Sequence, residues 1–149
     1  MRAAVHRYKY GGQKSLAPAL GGLLYLRIKT FPWVASLEGV VPVPLSKGRL
    51  EQRGYNQAFL LAEVMAEKLK LPLLNVLEKK RETASQTGLS RVQRKENVEN
   101  IFYCVQALPQ GSNLLLVDDV LTSGATSHEA ALLLKERGAD RVGLAVLAR

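Results

Sequence analysis

The sequence has 149 residues, 47% of them hydrophobic and 23% charged, which is typical of one globular domain with a single core. No apolar run approaches the ~20 residues that cross a bilayer, and the first residues lack the apolar segment of a secretory signal, so we expect neither feature. The net charge of +8 comes from residues 1–100, where 17 Lys and Arg face 8 Asp and Glu, a balance that suits either a polyanionic partner or a merely solvated surface.

The first half of the chain is predicted to contain two helices and one strand. Residues 15–28 (SLAPALGGLLYLRI) favour a helix that Pro18 and two glycines weaken. Residues 39–44 (GVVPVP) predict a short buried strand that ends at a crevice, because proline does not continue a sheet. A basic loop (LSKGRLEQRG) follows, and residues 55–69 have the apolar spacing of a helix.

The second half alternates predicted strands and helices around a long polar segment. Strands are predicted at 73–77, 101–105, 113–117 and 141–147, with a helix at 127–137 that Gly138 ends. The segment between the first two strands predicts a flexible loop over 78–97 and contains six basic residues: Lys79, Lys80, Arg81, Arg91, Arg94 and Lys95. This alternation predicts an α/β fold, a mainly parallel twisted sheet with helices on both faces, whose ligands bind beyond the carboxyl ends of the strands.

The most informative segment is LLLVDDVLTSGAT, residues 114–126. Asp118 and Asp119 follow the predicted strand directly, and two neighbouring carboxylates are favourable where ribose hydroxyls or Mg²⁺ neutralise them. The next residues, LTSGAT, open a helix whose backbone N–H groups and nearby hydroxyls can surround a phosphate, with Gly124 allowing close approach. A simpler interpretation also fits: Thr126 and Glu129 match a capping box, and the aspartates match turn residues.

This segment resembles the phosphoribosyl pyrophosphate (PRPP) motif of type I phosphoribosyltransferases. Three further segments, KYGGQKSLAPALGGLL, VVPVPLSKGRLEQRGYNQAFLLAEVMAEKLKLPLL and RETASQTGLSRVQRKENVENIF, resemble the competence protein ComF/GntX family. That family is related to the phosphoribosyl domain of amidophosphoribosyltransferase, and the likeness extends from about Lys9 to Arg149. It implies a single domain of the type I phosphoribosyltransferase fold, with a reduced hood in residues 1–38 and the core in residues 39–149.

The resemblance also implies roles for individual residues. The catalytic set would be Asp118, Asp119, Arg81 and Arg91, with both aspartates on the ribose hydroxyls and Mg²⁺ close by. The 5-phosphate would bind to Thr122, Ser123, Gly124, Ala125 and Thr126. The pyrophosphate loop would comprise Leu45, Ser46, Lys47, Arg49 and Arg53, and the flexible loop would add Thr83, Gln86 and Arg94. The alternative for Arg91, Arg94 and Lys95 is a solvated helix face at i, i+3, i+4 spacing.

The expected function is a Mg²⁺-dependent transferase that moves 5-phosphoribosyl from PRPP to an unidentified acceptor and releases pyrophosphate. The alternative is a non-catalytic protein that binds PRPP or a nucleotide in DNA uptake or nucleotide salvage and contacts single-stranded DNA. A homodimer is plausible for this family. Cys104 is the only cysteine, so we expect a buried inert thiol, no zinc ribbon or other Cys-rich zinc site, and a reducing cytoplasmic location.

Overall fold

The computed structural model describes Tyr8, residues 13–80 and residues 101–148. These contain four α-helices: α1 (Ala17–Ile28), α2 (Lys47–Arg53), α3 (Gln57–Leu69) and α4 (Ala125–Glu136). The strands are β1 (Gly39–Pro42), β2 (Leu77–Lys79), β3 (Phe102–Cys104), β4 (Asn113–Val120) and β5 (Arg141–Ala148), and short 3₁₀ turns cover Lys14–Leu16 and Pro32–Ser36. Among the described residues, no helix is both long enough and apolar enough to span a membrane.

The central sheet of the described residues is parallel, in the order β1-β4-β5. β4 is the middle strand: Leu114 pairs with Gly39 of β1 on one side and with Val142 of β5 on the other. β2 and β3 form a separate antiparallel pair. The prediction of a mainly parallel sheet is confirmed.

Both faces of this sheet are covered, because β4 is buried on both sides. Leu115 and Val117 pack in a core with residues of α1 and α3, whereas Leu114 and Leu116 pack in a second core with α4 and the β2-β3 pair. Alternate residues of a strand point to opposite faces, so an unbroken run of apolar residues suits a strand with helices on either side. The predicted helices on both faces are therefore confirmed.

Helix α1 forms despite residues of low helix propensity, because Pro18 and Gly21 lie where they do not disrupt it. Pro18 lies in the first turn, where the missing N–H breaks no intrahelical hydrogen bond. Gly21 faces α3 so closely that a Cβ atom there would lie 2.7 Å from the Cβ of Val64. The glycine that lowers helix propensity thus permits close packing of α1 on α3.

The prediction of a basic loop after β1 is wrong in part, because residues 47–53 form helix α2. Leu50, Glu51 and the residues beside them are good helix formers, and Gly54 ends the helix in the left-handed conformation (φ 74°) with its N–H on the carbonyl of Leu50 at 2.7 Å. Helix α3 then begins at Gln57, later than predicted, because the side chain of Asn56 caps the N–H groups of the next turn.

Other boundaries also shift. Residues 73–77 were predicted as a strand, but Leu73 makes only an isolated bridge with Val40, and β2 begins at Leu77. The chain leaves the sheet after Leu74, whose N–H bonds the carbonyl of Val40. Gly138 ends α4 as predicted, with φ 111°, and the N–H groups of Gly138 and Ala139 reach back to Lys135 and Leu134.

Candidate functional site

The carboxyl ends of β1 and β4 lie side by side, and this brings two predicted site segments to one edge of the sheet. Pro42 pairs with Val117, and the N–H of Val43 bonds the carbonyl of Val117 at 2.9 Å. The segment after β1 therefore leaves the sheet next to the acidic pair of β4. Asn56, at the start of α3, donates its side-chain N–H to the carbonyl of Val43 at 3.0 Å and fixes this exit.

The predicted pyrophosphate residues extend from this edge into α2. Ser46 is buried and Leu45 is half-buried, whereas Lys47 and Arg49 are exposed on α2. Arg53 is half-buried in the last turn of α2 and donates from Nη1 to Oε1 of Gln57 at 3.1 Å. The cationic groups of this segment are thus presented by a short helix rather than by an irregular loop.

Asp118 and Asp119 lie inside β4 and do not follow it, since the strand continues to Val120. In extended backbone their side chains point to opposite faces of the sheet. Asp118 points toward α4, the side of Leu114 and Leu116, and Asp119 points toward the core that contains α1 and α3. The acidic pair is therefore two separate carboxylates at the carboxyl end of the central strand, one for each face.

The carboxylate of Asp118 is held by two hydrogen bonds. Its Oδ1 accepts from the N–H of Asp119 at 2.8 Å, and its Oδ2 accepts from the hydroxyl of Ser127 in the first turn of α4 at 3.0 Å. Burial and the charge of Asp119 raise the pKa of Asp118 to about 6, although these two hydrogen bonds oppose the shift. A cation or a hydroxyl donor next to this carboxylate would therefore stabilise its ionised form.

The face of β4 to which Asp119 points also contains buried tyrosines that the sequence did not associate with the site. Tyr8 is completely buried, its hydroxyl donates to the carbonyl of Gln57 at 2.8 Å, and its own carbonyl accepts from the hydroxyl of Tyr55. The pKa of the Tyr8 hydroxyl is raised, mainly by burial and then by the charges of Tyr55, Asp119 and Glu63. Tyr8 and Asp119 therefore lie on the same face of β4.

The predicted phosphate loop connects β4 to α4. The N–H of Leu121 bonds the carbonyl of Ala148, so the loop starts where the pairing of β4 with β5 ends. Thr122 and Ser123 are exposed, and Gly124 takes the left-handed conformation (φ 78°) immediately before the helix. Ser123 Oγ accepts weakly from the N–H of Ala125 at 3.4 Å.

Helix α4 begins at Ala125, earlier than predicted, and this excludes the capping-box interpretation. Thr126 is the second residue of the helix, so Thr126 cannot be the N-cap partner of Glu129. The N-cap position belongs to Gly124, which has no side chain to cap the helix. Glycine is suited to this position because its φ is positive there. The N–H groups of the first helical turn therefore face a loop built from small residues.

The remaining predictions concern other parts of the chain. Arg81, Thr83, Gln86, Arg91 and Arg94 lie outside the described residues. In the described ranges, no group of three or more His, Cys, Asp and Glu side chains could hold a metal ion. Cys104 was predicted to be buried, but it is half-buried on β3, where packing still raises the pKa of its thiol.

Sequence reasoning included the backbone N–H of Ser127 among the phosphate donors but missed its hydroxyl contact with Asp118. It also missed Tyr8, Tyr55 and Gln57 as neighbours of the site. Ser127 had a usable signal, because a helix starting at Ala125 puts it in the first turn, above the end of β4. The contacts of Tyr8 with Tyr55 and Gln57 join residues 47 and 49 positions apart, and no local pattern predicts them.

Comparisons with known proteins agree with this arrangement. The model of the phosphoribosyl transferase domain family matches residues 56–149. Competence protein F of Haemophilus influenzae is 34% identical over 97% of this chain, and the DNA utilization protein YhgH of Escherichia coli is 34% identical over the same share. Competence protein ComFC of Bacillus subtilis is 40% identical over 66% of this chain. The chain spans 66%, 65% and 39% of the lengths of these three relatives.

A solved structure supports the fold. A chain described as the allosteric regulatory enzyme of purine biosynthesis superposes with a TM-score of 0.64 and 21% identity, over 96% of this chain and 30% of that one. At this identity the match establishes the phosphoribosyltransferase fold and nothing about the reaction. The matched family model, the relatives and the shared fold together show that this chain belongs to the phosphoribosyl transferase domain family, among the homologues of competence protein F.

Proposed function

We propose that this protein binds PRPP with Mg²⁺ and transfers its 5-phosphoribosyl group to an acceptor, releasing pyrophosphate. The observation that carries the proposal is the meeting of three segments at the carboxyl edge of the sheet. The β1-α2 segment starts at the carboxyl end of β1, and the loop before α4 starts at the carboxyl end of the neighbouring strand β4. The carboxylates of Asp118 and Asp119 lie in the last residues of β4. Ligands of parallel α/β sheets bind at this edge.

The 5-phosphate suits the loop between β4 and α4. The first-turn N–H groups of α4, beginning at Ala125, are polarised toward the loop, and the exposed hydroxyls of Thr122 and Ser123 add donors. Gly124 lets the backbone turn without a side chain in the way of the phosphate. We therefore assign residues 122–126 to the phosphate.

The ribose hydroxyls suit the carboxylates at the end of β4. An ionised carboxylate has about four acceptor positions, so Asp118 can keep its bonds from Asp119 and Ser127 and still accept from a ribose hydroxyl. Asp119 points to the other face of the strand, the side that packs against α1 and α3. We assign Asp118 to the ribose and Asp119 to the pyrophosphate side of the ligand.

The donors at this edge fit Mg²⁺ that arrives with its ligand. Mg²⁺ is usually bound by one or two carboxylates together with substrate phosphates and water, and either Asp118 or Asp119 can provide one such carboxylate on its own face of β4. Burial, and then the charge of Asp119, raise the pKa of Asp118, so a cation near its carboxylate would be favourable. A bound Mg²⁺ would neutralise charge on the pyrophosphate.

In the proposed reaction the bond between ribose C1 and the pyrophosphate oxygen breaks, and its electron pair leaves with the pyrophosphate. A nucleophilic atom of the acceptor forms the new bond to C1. Cationic side chains of the β1-α2 segment, Lys47, Arg49 and Arg53, would stabilise the charge on the leaving group, since guanidinium groups bind phosphate oxygens through two parallel hydrogen bonds. We also propose a catalytic role for Arg81 and Arg91, which lie outside the described residues, as the family resemblance implies.

Calorimetric titration of PRPP with and without Mg²⁺ tests the binding step. We expect Mg²⁺-dependent binding that falls at least tenfold in Asp118→Asn and Asp119→Asn, while Asp140→Asn, a change at an exposed carboxylate away from the site, binds normally. Pyrophosphate release is then measured with purine and pyrimidine bases, amines and ammonia. Absence of PRPP binding by the wild-type protein would exclude the proposal.

A second candidate function is PRPP or nucleotide binding without turnover, in a protein that takes part in DNA use. Two relatives are named competence proteins and one is named a DNA utilization protein, and the basic residues concentrate in residues 1–100. This candidate predicts PRPP binding without pyrophosphate release for any acceptor. It also predicts binding to single-stranded DNA that weakens steeply between 50 and 200 mM salt, to be measured by fluorescence anisotropy.

A further inference from the structure

The buried polar network beneath the α2-α3 junction connects the N-terminal part of the chain to the pyrophosphate side of the proposed site. It contains Tyr8, Tyr55, Gln57 and Arg53. Tyr8 is completely buried, Gln57 is 1% exposed and Tyr55 is 7% exposed. Polar groups buried to this degree are costly unless they are hydrogen-bonded, so their partners define a fixed arrangement.

Gln57 is the central member of this network. Its side-chain Oε1 accepts from Nη1 of Arg53 at 3.1 Å, and its backbone carbonyl accepts from the hydroxyl of Tyr8 at 2.8 Å. Gln57 is also the first residue of α3, so the Tyr8 contact anchors the start of that helix. One residue thus connects the guanidinium at the end of α2 with a tyrosine from the N-terminal segment.

Tyr55 is the fourth member of the network and contacts Tyr8. Its hydroxyl donates to the carbonyl of Tyr8, the two rings lie 5.9 Å apart between centroids, and the Lys14 ammonium lies 5.2 Å from the Tyr55 centroid. Tyr8 is therefore held through its backbone and its ring as well as its hydroxyl. The conformation of the α2-α3 turn, and with it the direction of Arg53, depends on residues that contact no ligand in the proposed site.

We propose that Gln57 is a positioning residue for Arg53 and that Tyr8 holds Gln57 in place, so that Tyr8 and Gln57 together set the pyrophosphate affinity of the site. This inference rests on the proposed function, because it assigns Arg53 to pyrophosphate. A guanidinium that is already restrained by a hydrogen bond, as Arg53 is by Gln57, loses less rotational freedom when it binds a phosphate. Removing the acceptor of Gln57 keeps the charge of Arg53 but takes away the hydrogen bond that directs its Nη1.

The test is separate titration of Mg²⁺-pyrophosphate and of ribose 5-phosphate into the wild-type protein and variants. Gln57→Met removes the acceptor at nearly constant volume, Tyr8→Phe removes only the hydroxyl, and Gln52→Met changes an exposed glutamine of α2 as a matched control. We expect pyrophosphate binding to weaken about 5–10-fold in Gln57→Met and about 2–5-fold in Tyr8→Phe, as for loss of one buried hydrogen bond. Ribose 5-phosphate binding should stay within about twofold in all variants.

A double-mutant cycle separates positioning from a general structural role. If Gln57 acts through Arg53, Arg53→Met and the double variant Arg53→Met/Gln57→Met should bind pyrophosphate equally weakly. Equal losses for both ligands in Gln57→Met, additive losses in the cycle, or unchanged pyrophosphate binding would each overturn the inference while leaving the proposed function intact. Failure of the wild-type protein to bind either ligand would overturn the proposed function and the inference with it.

Discussion

At the scale of single residues, Asp118 makes stability depend on pH in a direction that is unusual for a carboxylate. Its folded-state pKa of about 6 lies above the ordinary value of 3.8, so its favourable contribution is present below pH 3.8 and is lost as the pH rises through 6. The free energy of unfolding of Asp118→Asn should therefore be nearly that of the wild type at pH 4. At pH 7.5 it should exceed the wild-type value by about 1–3 kcal/mol. Urea unfolding at intervals from pH 4 to 8 measures this.

The matched control for that series is Asp140→Asn, which removes an exposed carboxylate next to Arg141. It corrects for the loss of one negative charge from a basic protein. A stability difference between wild type and Asp118→Asn that does not change with pH would contradict the prediction. With saturating Mg²⁺ and PRPP at pH 7.5, the wild type should become more stable than Asp118→Asn, because the ionised carboxylate then contributes to ligand binding.

Gly124 and Gly111 provide a second comparison of single residues. Both have positive φ, 78° and 74°, and an added Cβ would meet only an ordinary contact at Gly124 and no atom within 4 Å at Gly111. Alanine at either position should therefore cost about 1–2 kcal/mol through backbone strain alone. Only Gly124→Ala should also lose PRPP affinity, by tenfold or more, because only Gly124 lies in the proposed phosphate loop.

At the scale of elements, the packing of α1 on α3 can be tested with two adjacent glycines. An added Cβ at Gly21 would lie 2.7 Å from Val64, whereas one at Gly22 would meet Lys68 Cε at 3.7 Å. Gly21→Ala should destabilise the protein by about 1–3 kcal/mol through overpacking. Gly22→Ala should stabilise it by about 0.5–1 kcal/mol, because alanine favours helix. Thermal unfolding should therefore show a lower Tm than the wild type for Gly21→Ala and a higher Tm for Gly22→Ala. Tm changes in the same direction would contradict the assigned packing.

Elements were more predictable than the side chains they bring together. The unalternating apolar residues 114–117 predicted a strand covered on both faces, because burial on both sides leaves no polar position. The end of that strand was misjudged, since aspartates rarely continue a strand and only the pairing of Asp118 with Val146 and of Val120 with Ala148 shows that they do. Helix α2 was missed because its Gly48 and its charged residues resemble a loop, and the decisive feature is the left-handed Gly54 that ends it.

At the scale of the whole molecule, ligand binding should be visible as global stabilisation. A ligand at about 100 times its dissociation constant adds about 2.7 kcal/mol, which raises the Tm of a protein of this size by about 5–10 °C. We expect this for PRPP with Mg²⁺ and a smaller shift for ribose 5-phosphate, measured by differential scanning fluorimetry. An unchanged Tm at millimolar PRPP with Mg²⁺ would contradict both candidate functions, because each of them predicts PRPP binding.

The parallel pairing of β1 with β4 has a consequence for how this protein is made. Gly39 pairs with Leu114, 75 positions later in the chain, so β1 has no β4 partner until that much more polypeptide has been synthesised. At about 5–20 residues per second this takes about 4–15 s, and long-range parallel pairing is itself slow. During that interval the apolar strand could associate with other nascent chains. Pro42 and Pro44 reduce this hazard, because each removes an N–H that an intruding strand would need.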